Sequence, residues 1–152
     1  MKYKLIFSLV LLILISSCTT GQVIKENPKE GPFLVIKVVD GDTLEINTRE
    51  RIRLSGINTP EKKECYYKEA KDALTNLTLN KTVYIQQDIT NKDKYGRLLR
   101  YIYLDDLLVN EYLVENGYAR VFDKYKEDTS KYYSLKAIEV EAIRLNKGVW
   151  SC

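Results

Sequence analysis

Two apolar runs, residues 34–39 and 43–47, meet at Asp40-Gly41-Asp42, and this short connection limits the fold more than any other feature of the chain. Leu34-Val35-Ile36-Lys37-Val38-Val39 is rich in β-branched side chains, and Asp-Gly is a strong turn signal. Thr43-Leu44-Glu45-Ile46-Asn47 then alternates, so the two runs predict a hairpin. A third alternating run covers 51–57, and Pro60, which cannot donate to a sheet ladder, ends it. The period changes over 67–79, where Ala70, Ala73, Leu74 and Leu77 share one face at helical spacing. Residues 82–87 return to strand, 91–96 read as a polar turn, and 98–104 form a fifth strand. A short helix over 110–115 starts at Asn110, a good N-cap, and stops at Asn116-Gly117, suited to a left-handed C-cap. A last helix over 130–146 would bury Leu135, Ile138, Ala142 and Leu145 and stop at Gly148, with Trp150 packing back onto the domain. Three strands, a helix, two strands and two helices, all short and Gly-punctuated, predict a small closed sheet. The expected class is α+β, mainly β: a five-stranded OB-like barrel with three helices packed outside.

The first residues stand apart from this domain. Lys2 and Lys4 precede a nearly unbroken apolar run, 5–15, too short to span a bilayer and followed by Ser16-Ser17-Cys18. Small residues directly before a cysteine resemble the lipobox of bacterial lipoprotein signal peptides. That resemblance implies a leader over 1–17, a lipid on Cys18, export, and attachment to the cell membrane at the cell surface or in the periplasm. An ordinary cleaved leader, with Cys18 incidental, is the other reading. Residues 18–32 are polar, carry Gly21, Pro28, Gly31 and Pro32, and read as a flexible tether. Residues 33–152 then form one domain, expected as a monomer.

Charge and composition exclude several chemistries. The chain holds 24 basic and 21 acidic residues, and loses two lysines with the leader, so a nucleic-acid site must be a local patch. It contains no histidine. Ser-His-Asp and Cys-His catalysis and His-Zn sites are therefore excluded, and the expected proton acceptor at neutral pH is a carboxylate or a metal-bound water. Beyond Cys18 the cysteines are Cys65 and Cys152. In an exported chain such a pair suggests a disulfide; two free thiols are the alternative.

Three segments place charge where a fold would not ask for it: Asp40-Gly41-Asp42-Thr43, the stretch from Arg53 to Asn58-Thr59-Pro60-Glu61, and Asp93-Lys94-Tyr95-Gly96-Arg97. Each alone is ordinary. Asp-Gly-Asp serves many turns, Thr-Pro-Glu starts many helices, and Lys-Tyr-Gly-Arg is commonly solvated surface. Together, in this order and spacing, they resemble the staphylococcal nuclease (thermonuclease) family. The likeness runs from about Val35 to Trp150, and includes Val109-Asn110-Glu111, Gly117-Tyr118-Ala119 and Gly148-Val149-Trp150-Ser151.

The resemblance implies an OB-like barrel that hydrolyses phosphodiester bonds of DNA and RNA with one calcium ion. By motif position Asp42 and the Thr59 carbonyl would hold calcium, and Glu61 would orient or deprotonate the attacking water. Arg53 and Arg97 would grip the scissile phosphate, Lys94 and Tyr95 the neighbouring one, and Tyr125 would line the nucleotide pocket. The chemistry agrees: guanidiniums give paired hydrogen bonds to a phosphoryl group, and a hard cation with oxygen ligands neutralises its charge.

Two positions depart from the family pattern. Asn58 stands where an aspartate is usual as a metal ligand, keeping an oxygen donor but losing a charge, which implies weak calcium binding. Asp123 stands where a tyrosine is common. Asn58 also motivates a different reading, a non-catalytic nucleic-acid-binding OB-fold lipoprotein. Nothing in the residues specifically favours a third, a surface lipoprotein that adheres to a protein partner.

Overall fold

The computed structural model describes residues 27–152. The expected leader over 1–17, Cys18 and the tether up to residue 26 lie outside the described residues. The described chain runs β1 (Lys29–Val38), β2 (Thr43–Ile46), β3 (Arg51–Leu54), β4 (Ile57–Asn58), α1 (Tyr67–Thr78), β5 (Thr82–Lys92), β6 (Leu98–Leu104), β7 (Leu107–Leu108), α2 (Val109–Glu115), β8 (Arg120–Val121) and α3 (Tyr132–Arg144). Short 3-10 segments cover Asp123–Asp128 and Gly148–Trp150.

The strands stand in the order β3-β2-β1-β5-β6, and β3 pairs with β6 to close the ring. That closing contact is parallel (Ile52 opposite Leu98), while the other pairings around the ring are antiparallel. β7 continues the sheet outside the ring as a hairpin partner of β6, and β4 pairs with β8 in a separate ribbon. This is a closed five-stranded barrel of OB-like form, mainly β, with helices outside. Alternation fills it: Leu44, Ile46, Ile52, Leu54, Val83, Ile85 and Ile102 are buried, and Leu74, Leu113 and Leu135 bring the three helices onto the same core. Each such side chain contributes about 1.5–3 kcal/mol.

Several boundaries differ from the sequence expectation, each for a tertiary reason. β1 begins at Lys29, inside the expected tether, because Lys29 and Glu30 pair with Gln86 and Ile85 of β5. The domain therefore starts earlier than residue 33. The run 51–57 is not one strand. The chain leaves the barrel at Ser55-Gly56, where Gly56 has φ +74° and an added Cβ would lie 2.7 Å from Thr129 Cγ2. Beyond it β4 turns to meet β8. β5 runs on to Lys92, past the expected end at 87, through an irregular pairing with β6.

Asn110 is not an N-cap. The helix begins one residue earlier, and the Asn110 side chain is fully buried. Its Oδ1 accepts from the Ile102 amide at 3.0 Å and its Nδ2 donates to the Ser55 carbonyl at 2.9 Å. Leu145, expected in the core, is exposed, while Glu139 is buried on the inner face of α3. Glu139 accepts from the Val121 amide at 2.7 Å and pairs with Lys136 at 2.6 Å. α3 ends at Arg144, short of the expected 146, and both Asn146 (φ +51°) and Gly148 (φ +53°) take the left-handed conformation beyond it. Gly148 also serves packing: a Cβ there would lie 2.1 Å from the Gly117 carbonyl oxygen. Trp150 does pack back, under the Arg120 guanidinium at 5.0 Å from its ring centre.

Cys65 and Cys152 are joined by a disulfide with Cα atoms 6.3 Å apart, tying the C-terminus to the loop before α1 across 87 residues of sequence. Closing a loop of that length in the unfolded chain stabilises the fold by about 4.6 kcal/mol in the chain-entropy model. The Cys65→Ser/Cys152→Ser protein should accordingly lose about 4–5 kcal/mol of unfolding free energy in urea titration. An unchanged midpoint and slope would show that the bond constrains nothing.

Candidate active site

The β1–β2 turn is drawn tight by Val39 N–H donating to the Thr43 carbonyl at 2.9 Å. Gly41 is needed there because a Cβ would lie 2.7 Å from Thr59 Oγ1 and 2.9 Å from Ala70 Cβ. This close approach presses Asp42 against the segment that follows β4. Asp42 Oδ2 accepts from the Thr59 amide at 2.9 Å and the Thr59 hydroxyl at 3.1 Å, and Oδ1 accepts from the Thr43 hydroxyl at 3.1 Å. Arg53 Nη2 stands 3.1 Å from the same carboxylate. Burial pushes the Asp42 carboxyl above its ordinary value, against the opposing pull of Arg53 and the Thr59 amide.

Arg53 projects from β3 and is itself almost fully buried. Its Nη1 donates to the carbonyls of Leu54 (2.9 Å) and Ile57 (2.8 Å), and Nη2 to Asn58 Oδ1 (2.9 Å). Both sides of the Ser55-Gly56 turn are thus clamped by one guanidinium. Burial lowers the arginine's pKa from its ordinary value, with Asp42 pulling the other way.

Arg97 arrives from the β5–β6 turn. Gly96 supplies the positive φ of that turn (+79°) and faces open space. Asp93 Oδ1 accepts from the amides of Tyr95 (2.9 Å) and Arg97 (3.0 Å), and its Oδ2 from Arg97 Nε (2.7 Å). Arg97 Nη1 also donates to Thr43 Oγ1 at 3.3 Å. A continuous polar chain therefore crosses the site from Arg97 through Thr43 and Asp42 to Arg53.

These groups line one cleft of about 530 Å³. Asp42, Arg53, Asn58 and Thr59 lie on one side with Glu61 beyond them; Lys94, Tyr95 and Arg97 lie on the β5–β6 side, and Tyr125 on the 3-10 segment. All nine residues singled out in the sequence for metal, catalysis or substrate meet here. Glu61 is exposed, and its amide donates to Glu64 Oε2 at 2.7 Å. α1 starts only at Tyr67, so Glu61 does not stabilise its first turn.

Phe122 lines the cleft too, its ring edge-on to Tyr125 at 5.2 Å, and sequence reasoning missed it. An apolar residue after a strand carries no chemical signal, and only the β4–β8 pairing brings it here. Asp40 also lines the cleft, beside Asp42. Asp123, at the position where a tyrosine is common, turns to α3 instead, accepting from the Tyr132 hydroxyl at 2.7 Å and from Lys136.

Four oxygen-bearing residues line the cleft: Asp40 and Asp42 with carboxylates, and Asn58 and Thr59, whose amide and carbonyl oxygens accept from Arg53 and from the Asn58 side chain. Among the described residues no group of three His, Cys, Asp or Glu side chains stands close enough to hold an ion unaided. An oxygen-only set of two carboxylates supplemented by neutral oxygens and water fits a hard divalent cation. The buried Asp42 carboxylate, held above its ordinary pKa, would be relieved by such a charge.

A barrel with carboxylates, two arginines and exposed rings around one cleft defines a class of OB-like proteins equipped to hold phosphate groups. The family model of Staphylococcal nuclease homologues matches residues 51–152. An uncharacterized endonuclease of Escherichia coli is 36% identical over 121 residues, spanning 77% of this chain and 75% of that protein. The thermonuclease of Staphylococcus hyicus is 33% identical over 135 residues, spanning 82% and 79% respectively. That of Staphylococcus intermedius is 34% identical over 128 residues, spanning 78% and 75%. The chain belongs to the staphylococcal nuclease family.

Asp93 makes the site's acid sensitivity testable. Burial raises its pKa, but the hydrogen bonds from Arg97 and the backbone amides outweigh this, and the carboxyl sits below its ordinary 3.8. A depressed folded-state value means stability that is whole above 3.8 and lost as pH falls through the lower value. Urea unfolding of Asp93→Asn should therefore change less between about pH 5 and pH 2 than that of the unaltered protein. Parallel pH curves would show that Asp93 does not anchor the turn.

Proposed function

We propose that this protein is a calcium-dependent nuclease that hydrolyses phosphodiester bonds of DNA and RNA in the cleft built around Asp42, Arg53 and Arg97. The observation that carries the reading is the convergence of carboxylates, guanidiniums and a phenol from separate segments of the chain on one cleft, in a member of a family whose relatives are named thermonuclease and endonuclease. Asp42 and the Thr59 carbonyl would hold the ion, with the Asn58 amide oxygen beside them. Bound there, calcium supplies positive charge against the phosphoryl oxygens and a site for water.

Arg53 and Arg97 hold the phosphoryl group. Arg97 is pre-aimed by Asp93, and Arg53 by the Leu54 and Ile57 carbonyls. Asn58 and Asp42 occupy Arg53 Nη2, so an entering phosphate oxygen takes over contacts that these residues now make. Glu61, exposed at the cleft's edge, accepts a proton from the attacking water as the water oxygen bonds phosphorus and the bond to the departing sugar oxygen breaks, that oxygen taking a proton from solvent. Lys94 and Tyr95 bind the next phosphate, and Tyr125 with Phe122 offers an apolar surface to the nucleotide.

Single-stranded DNA digested under calcium titration tests this. Glu61→Gln and Arg97→Ala should each slow turnover by about 10²–10³-fold, the cost of losing a fixed transition-state donor or base. Asn58→Asp, by restoring a full charge among the oxygens, should lower the half-saturating calcium concentration. A folded protein that binds DNA but never cleaves it would instead be the non-catalytic OB-fold binding lipoprotein.

We also propose that the protein is exported and held at the membrane as a monomer through a lipid on Cys18, on the strength of the apolar run and the small residues before that cysteine. In a bacterial host, Cys18→Ser should shift the protein from the membrane to the soluble fraction. Retention in the membrane fraction would remove the anchor from the proposal.

A further inference from the structure

On the far side of the Tyr95-Gly96-Arg97 turn lies a second groove, of about 580 Å³. Arg49, Glu50 and Arg51 form one wall and Lys92, Tyr95 and Arg97 the other. Lys92, Tyr95 and Arg97 also line the active-site cleft, so the two depressions share this turn as a common wall. Cations outnumber the carboxylate here, in a chain whose basic and acidic residues nearly balance. The concentration is local.

Stability does not explain these arginines. Arg49 and Arg51 reach Glu45 only at 3.8 and 3.9 Å, with side chains 81% and 58% exposed. Ion pairs that long and that exposed contribute little. Arg49 moreover sits at φ +69°, in a β2–β3 turn closed by its own amide donating to the Ile46 carbonyl at 2.8 Å. Glycine or asparagine would take that conformation with less strain, so the turn carries a guanidinium at a cost. Arg51 is two residues before Arg53 on β3, and Ile52 and Leu54 between and beyond them face the core. The two arginines therefore leave the same face of the strand, their Cα atoms about 6–7 Å apart, Arg53 buried at the cleft and Arg51 exposed at the groove. Tyr95 stands between cleft and groove, 72% exposed, with Lys94 and Arg97 flanking its ring at 4.9 and 5.5 Å. An exposed ring flanked by cations is a platform for a base.

We propose that this groove is a second polynucleotide subsite, in which Arg49, Arg51 and Lys92 bind phosphates flanking the scissile bond, so that the enzyme favours strands over dinucleotides. The proposal rests on the reading of the cleft as the phosphodiester site. The strand passes from the cleft over Tyr95 and along the β2–β3 turn.

Arg49→Gln/Arg51→Gln in the full chain tests it, with cleavage of a single-stranded DNA about 20 nucleotides long compared with cleavage of a dinucleotide. The long strand's KM should rise about tenfold while the dinucleotide's kcat/KM stays unchanged. Binding of the same labelled strand, followed by fluorescence anisotropy against salt concentration, should lose about 1.4 from its logarithmic slope, two phosphate contacts at about 0.7 each. Arg49→Lys/Arg51→Lys, which keeps the charges, should restore the slope. Equal losses on both substrates, or a slope that does not change, would overturn the proposal. The slope decides even if neither substrate is cleaved, an outcome that would sink the nuclease reading and not the subsite.

Discussion

Asp42 and Arg53 meet 3.1 Å apart beneath the cleft, and four segments of chain are held through the pair. The carboxylate fastens the β1–β2 turn to the Thr59 backbone, and the guanidinium fastens β3 to the carbonyls on either side of the β3–β4 turn and to Asn58. Burial disfavours the charge on each partner. Such a pair gains little net stability over an apolar replacement, while removal of one member leaves the other charge stranded. Its value lies in position: acid and base are locked in register where an anionic substrate and a cation would both make demands on them.

Behind this pair lies a second polar centre that keeps the turn in place. Asp88, almost wholly buried, accepts from the Ser55 hydroxyl at 2.5 Å, the Tyr101 hydroxyl at 3.0 Å and the Ser130 amide at 2.9 Å. Asn110 takes the Ser55 carbonyl from the other side. The residue before Gly56 is thus gripped by β5, α2 and, through Asp88, the start of the α3 segment. Placement of Asn58, Thr59 and Glu61 depends on helices that never touch the cleft. Interior polar groups that are fully satisfied set a unique geometry rather than adding bulk stability.

Legibility in the sequence followed the range of the forces involved. The β1–β2 hairpin, the helix at 67–79 and the strand Leu98–Leu104 rest on local alternation and turn chemistry, and the chain shows them where those signals stand. Ser55-Gly56 was hidden because alternation continues across it, and only the distant β8 explains why the chain turns aside. Asn110 and Glu139 look like surface residues in any local window, yet each satisfies a backbone amide on another element. The cleft residues were visible as motifs whose order resembles a family. Their meeting in one depression needed the closed barrel, and Phe122, which has no chemical label, emerged only with it.

The bond between Cys65 and Cys152 has a topological consequence. It turns everything from the loop before α1 to the C-terminus into a covalent ring. A protease that cut the chain once within that ring, at the β5–β6 turn that carries Tyr95 or along the segment that carries Tyr125, would open the ring without releasing a fragment. Both pieces would stay joined, and the barrel strands on either side of the cut would keep their neighbours at intramolecular concentration. The turn that carries Tyr95 and the segment that carries Tyr125 can thus each be broken once without loss of either piece.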